Sequence, residues 1–406
     1  SLNSTALQSY SLDISNGPGA VVLTGAVGAA TNGSLGAITI ASSGTTTVSS
    51  TVQAISLTTD VLGTTRLNSN ISTTGDQQYG DAVILDDHVG ITTSANGLVR
   101  FANTVDSATG ESNNLSLATG SGNITFTGAI GGSRGLGNIS LTSTGTTTFS
   151  ATVAATTVTQ NASTGTTAIQ GGAITTGGEQ SYGNNVTTNR DTILTASTVR
   201  FNGAFTSDYY LAIIGAAVVG NASSDSLEIG GTSKYFTVSG TSSIYAATVT
   251  TSGVQTYTGN VTLYANATLS GTSVTFSDSV SGAYSLSITG NAILGDSSSD
   301  SVSLTGVSKT LNVSGATSIY AGSITSSGAQ RYAGAVSLVS DTSVTTTNAN
   351  LTFESTLNSA TSTAKGLTIS TGSVSADGRD PDWSWCRARC WPLRPSPACA
   401  GTATGS

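Results

Sequence analysis

Asp86, Asp87 and His88 stand side by side, and His88 is the only histidine of the chain. A carboxylate beside an imidazole is a combination that moves protons or holds a metal ion. Neighbouring residues of an extended strand point to opposite faces, so Asp87 and His88 converge only if the segment is a turn. With a single histidine, and no cysteine before Cys386, nucleophilic catalysis of the Ser-His or Cys-His kind has little to work with. Carboxylates are the remaining candidates. The acids are few: Asp81, Asp86, Asp87, Asp106, Glu111, Glu179, Asp191 and Asp208, with a thin scatter beyond. Polysaccharide-cleaving chemistry would need two of them about 5–10 Å apart on adjoining elements. Asp225 and Asp300 recur in matching contexts, which points to turn capping instead. Calcium rolls of the Gly-Gly-x-Gly-x-Asp type are absent. Ice binding needs a flat Thr-x-Thr ladder, and the triplets Thr45-Thr46-Thr47, Thr146-Thr147-Thr148 and Thr345-Thr346-Thr347 are not spaced as one. The sequence therefore names no catalytic, cofactor-binding or metal-binding residue, and a non-enzyme is expected.

The elements that would position such groups are set by a repeat. Residues 220–246 read GNASSDSLEIGGTSKYFTVSGTSSIYA, and residues 295–321, 75 positions later, read GDSSSDSVSLTGVSKTLNVSGATSIYA. A second marker, Gln-x-Tyr, ends at Tyr79, Tyr182, Tyr257 and Tyr332, each after a Thr/Ser-Gly turn. About twenty residues on, an apolar-x-Phe pair ends at Phe101, Phe201, Phe276 and Phe353. Gln8-Ser9-Tyr10 reads as a degenerate fifth start. The interval from Tyr79 to Tyr182 is 103 residues and the next two are 75 each, so long units run up to about residue 205 and 75-residue units follow.

Between Gly, Asn and Ser turns, apolar residues alternate with small polar ones, as in Val261-Thr262-Leu263 and Leu311-Asn312-Val313. Period-two alternation over a few residues makes a half-buried strand, and Val and Thr suit that surface. Short strands in an array too long and regular for one globular core give an all-β, single-chain β-solenoid, a right-handed parallel β-helix. Coils of about 20–25 residues stacked about 4.8 Å apart make a rod on the order of 70–90 Å. The aromatic markers are expected to pack in its core, as a ladder at one fixed edge. Residues 1–70 form a degenerate start, 71–376 the repetitive solenoid and 377–406 a non-repeat tail.

The pattern Ser/Thr-Gly-x-Gln-x-Tyr-x-Gly-x-Val-x-Leu, carried by residues 252–263 and 327–338, is similar to repeats of large bacterial filamentous-haemagglutinin-like surface proteins. The following Leu-x-Gly-x-x-Val-x-Phe, residues 269–276, resembles them as well. That resemblance covers about residues 70 to 375 and implies a secreted adhesin with a right-handed β-helical shaft, exported by a two-partner or autotransporter route. It implies an extracellular, cell-surface location and, as partners, glycans or proteins of a host or neighbouring cell.

Composition agrees with a structural role. Only 8% of residues are charged, so Ser and Thr must supply the polar exterior. The net charge of −8 and the lack of a basic stripe argue against nucleic acid as a partner, and no apolar run reaches the length of a membrane span. The sequence contains no Met and is expected to be an internal or processed piece. Open solenoid ends make end-to-end self-association, and with it a self-assembling fibre, the alternative role. All three cysteines, Cys386, Cys390 and Cys399, fall after residue 377 with Trp, Arg and Pro. That block reads as an out-of-frame translation after about Ala376. A Cys-x3-Cys cap is its functional alternative.

Overall fold

A computed structural model describes residues 1–5, 8–28, 33–162, 164–360 and 363–371, and these are strands and turns with no helix. The expectations for the tail lie outside the described residues. The alternation read from the sequence folds as it must: in Gln77–Tyr79, Ala82–Leu85 and Val261–Leu263 every second side chain is buried and the next is not.

Every strand pairs in parallel, and the chain winds into a β-solenoid of about sixteen turns with three faces. The first face carries the ladder that begins at Leu12–Ser15 and ends at Leu351–Phe353. The second runs from Val21–Leu23 to Leu357–Ser359, narrowing at Ile130 to a single bridge between Val105 and Val153. The third runs from Leu2 to Leu367–Thr371. Partners in these ladders are 18 to 26 residues apart, and the first seventy residues share the same three ladders. Sixteen steps of about 4.8 Å give a rod of roughly 77 Å.

Inside, Val, Ile, Leu and Phe stack on like residues of the next coil and form one continuous core. On the first face Tyr79, Phe101, Phe126 and Phe149 make a run of parallel rings with centroids 4.9, 5.1 and 5.5 Å apart. Parallel stacking at this spacing adds roughly 0.5–1.5 kcal/mol per pair beyond simple burial. Not every corner breaks a strand. Thr192–Phe201 and Ala267–Phe276 each serve two faces, with a bulge between Thr195 and Thr198 or between Ser270 and Ser273 where the chain turns.

The repeat does not fall on one edge. Tyr79 belongs to the first face, Tyr182 to the third, Tyr257 to the second and Tyr332 to the first again. The 75-residue unit holds eleven face segments and the longer unit fourteen. Both numbers leave two over when divided by three, so each copy is turned by one face relative to the last. The expected fixed-edge ladder of the eight aromatics is thus corrected. Each tyrosine stacks on the phenylalanine of its own copy, one coil on: Tyr182 on Phe201, Tyr257 on Phe276 and Tyr332 on Phe353. The pairs themselves wind around the rod.

Candidate functional surface and the repeat motif

Gln77, Gln180, Gln255 and Gln330 are fully buried, a costly place for a primary amide unless each polar atom has a partner. Each one does. In Gln255 the Nε2 group donates to the carbonyls of Val249 (2.9 Å) and Ser270 (2.8 Å), and Oε1 accepts from the Tyr257 hydroxyl at 2.9 Å. Gln180 and Gln330 make the same three bonds, and Gln77 replaces the first with Thr73 Oγ1. Two donors and one acceptor fit two backbone carbonyls and one phenol, which a carboxylate or an aliphatic side chain cannot do. The preceding Thr or Ser folds back on the carbonyl two residues on, as Thr251 does to Gly253. The motif is a clamp that ties a corner to the coil above it. Burial pushes the four phenols well above the usual tyrosine range, so they remain neutral donors. Tyr10, by contrast, is 59% exposed, so Gln8-Ser9-Tyr10 is not a further copy of the clamp.

The groups that suggested chemistry do not converge. Residues 86–88 form the turn between Ala82–Leu85 and Val89–Thr93. There Asp86 is ion-paired with Arg66, Asp87 accepts from the His88 amide, and His88 Nδ1 accepts from the amide of Asn114 at 3.1 Å. Glu179 pairs with Arg200 and Asp191 with Lys234, each across coils. Asp106 accepts from the amides of Ser133 and Arg134, and Glu111 accepts from Asn113. Asp225 caps the amides of Asn221 and Ala222, and Asp300 those of Asp296 and Ser297. Among the described residues no three of His, Cys, Asp and Glu gather as a metal site.

Asp81 stands apart because it is 1% exposed and, among the described residues, forms no ion pair. Its oxygens accept from the hydroxyls of Thr59 and Thr65 at 2.9 Å. Burial raises its pKa, and the two hydroxyls oppose that in part. A carboxyl with a raised native pKa binds its proton more tightly folded than unfolded. Its contribution is therefore most favourable below the ordinary carboxylate pKa and is lost as pH rises towards the native value. The corresponding position of the next copy holds Asn184, which accepts from Thr167 at 2.8 Å. Asp81→Asn is expected to raise the thermal midpoint at pH 7 and to make no such gain near pH 3. A midpoint difference that does not shrink on acidification would contradict this.

The outward rows distinguish the three faces. The triplets Thr45–Val48, Thr146–Phe149 and Thr342–Thr346 lie on the second, first and third faces, so they never form a joint ladder. On the third face, however, an outward column runs from Ser243 through Thr262, Ser281, Ser303, Thr325 and Thr345 to Ser370. Two residues earlier in each strand a second column includes Ser301, Ser323, Ser343 and Thr368. Sequence reasoning missed this lattice. Its signal was Ser-Val-Ser, Ser-Ile-Thr and Ser-Val-Thr at residues 301–303, 323–325 and 343–345. Beside it Tyr245 and Tyr264 stack at 4.4 Å with rings 5° from parallel. The two rings form a short ladder at this edge of the face.

A scan against known protein families, a search of curated proteins and a search of solved structures each gave no match.

Proposed function

We propose that the chain is the structural and adhesive shaft of an extracellular bacterial surface protein. It holds a recognition region away from the cell and offers weak, repeated contacts to glycans or proteins on a host or neighbouring cell. The observation that carries this reading is the uninterrupted three-ladder stack, with a buried Gln-Tyr clamp in each repeat and polar groups spent on holding coils together. The likeness of the Gln-x-Tyr repeats to filamentous-haemagglutinin-like proteins, and the lack of cysteine before Cys386, support secretion as an unfolded chain. Electron micrographs of the purified chain test the proposal. Separate straight rods of roughly 77 Å, sixteen coil steps long, are expected; compact particles would overturn it.

A second reading is a self-assembling fibre, in which the open backbone ladders of one parallel solenoid pair with those of the next. Rods joined end to end in the same micrographs would select this reading.

A further inference from the structure

The third face from Thr241 to Thr371 carries no charged residue on its outward columns, although the chain has a net charge of −8. The charges stand at its margins. Asp278, Asp296, the buried Asp300 and Asp341 lie, together with Lys365, in the turns that enter the face, and Lys309 lies in a turn that leaves it. We propose that this face packs against the same face of a second copy, with the two rods side by side and parallel.

Three features select that occupant. A hydroxyl both donates and accepts, so a column of Ser and Thr is complementary to itself, whereas a column of Lys or Asp repels its copy. Seven coils by three outward columns make a patch on the order of 500 Å² per copy, roughly 1,000 Å² in all, at the lower edge of a specific interface. A two-fold axis along the rod sets the acidic margin of one copy against the Lys309 margin of the other. An antiparallel pair would set acid against acid. Ice is a poorer occupant, because Ser outnumbers Thr here and lacks the methyl that would order water. A sugar polymer is poorer too, because the outward columns from Ser281 to Ser370 carry no aromatic ring for a sugar to stack on. The inference goes beyond the shaft reading: it concerns sides of rods, and end-to-end growth neither requires nor produces it.

The test uses the full chain with Cys386, Cys390 and Cys399 changed to Ser. Sedimentation over rising concentration is expected to show a monomer–dimer equilibrium. Ser303→Lys with Thr325→Lys should raise the dissociation constant at least tenfold, while Thr275→Lys on the second face leaves it unchanged. Circular dichroism checks that each variant keeps its strand content. Ser303 is at the centre of the patch, so Ser303→Cys should be captured as a dimer by a short bis-maleimide. Thr345→Cys should be captured equally, because parallel copies bring it beside its mate. In an antiparallel pair the two would be four coils, or about 19 Å, apart along the rod. No dimer, a dimer indifferent to the lysines, or capture at Ser303→Cys without capture at Thr345→Cys would each overturn the proposal.

Discussion

Gln255→Leu is expected to destabilise the coils around it by about 3–5 kcal/mol, since it removes three buried hydrogen bonds at roughly 1 kcal/mol each and leaves the Tyr257 hydroxyl without its acceptor. Leucine nearly fills the amide's volume, so the loss comes from polar groups more than from a cavity. Those groups are the Tyr257 hydroxyl and the carbonyls of Val249 and Ser270. In a solenoid each coil leans only on its neighbours, so the damage is local, and amide hydrogen exchange reads it better than one global midpoint. Exchange should speed up in the strands Thr248–Thr251, Val254–Tyr257 and Ala267–Phe276 and stay slow near Tyr79. Gln255→Leu combined with Tyr257→Phe should cost less than the two single changes added together, because the second removes a hydroxyl that the first has orphaned. Additive costs, or a single-variant cost below about 1 kcal/mol, would show that the amide is not a clamp.

Gly290→Ala should be as damaging, for a different reason. Gly290 sits where the strand Leu286–Leu294 turns from one face to the next, with φ at 126°, and a Cβ there would lie 1.9 Å from the carbonyl oxygen of Gly271. Its counterpart Gly215 has φ at 134° and the same 1.9 Å approach, to Ala196. A side chain meets both a forbidden backbone region and an immovable carbonyl, which costs at least about 3 kcal/mol. Gly177→Ala is the control: its Cβ meets nothing within 4 Å, so the change should stay within about 0.5 kcal/mol. Denaturant midpoints of the two variants compare them directly. Equal midpoints would mean the corner is not built on glycine.

Much of this architecture was legible in the residues. Val261-Thr262-Leu263 can only bury one face as a strand, and copies 75 residues apart can only stack as an array. The inward placement of Tyr257 and Phe276 followed from the same alternation. What the residues did not show is which face each strand takes. That depends on counting corners, and some corners have no turn residue to count. Ala267–Phe276 reads as one strand yet crosses from the first face to the second through a bulge. An eleven-segment repeat therefore could not be told from a nine- or twelve-segment one, and the rotation of the copies went unseen. The hydroxyl lattice was hidden for the same reason, since Ser303 and Thr325 are neighbours only once the faces are assigned. The glutamine of the clamp was visible by position, but its burial was not, because an isolated amide is an unlikely core residue until all its partners are known.

The central claim is a three-faced parallel solenoid in which each repeat is turned by one face. A crystal structure of the chain tests it most directly. The account predicts Tyr182 on Phe201, Tyr257 on Phe276 and Tyr332 on Phe353 as stacked pairs on three different faces of a single rod. Finding the three pairs in one straight column, or two facing sheets in place of a coil, would contradict it.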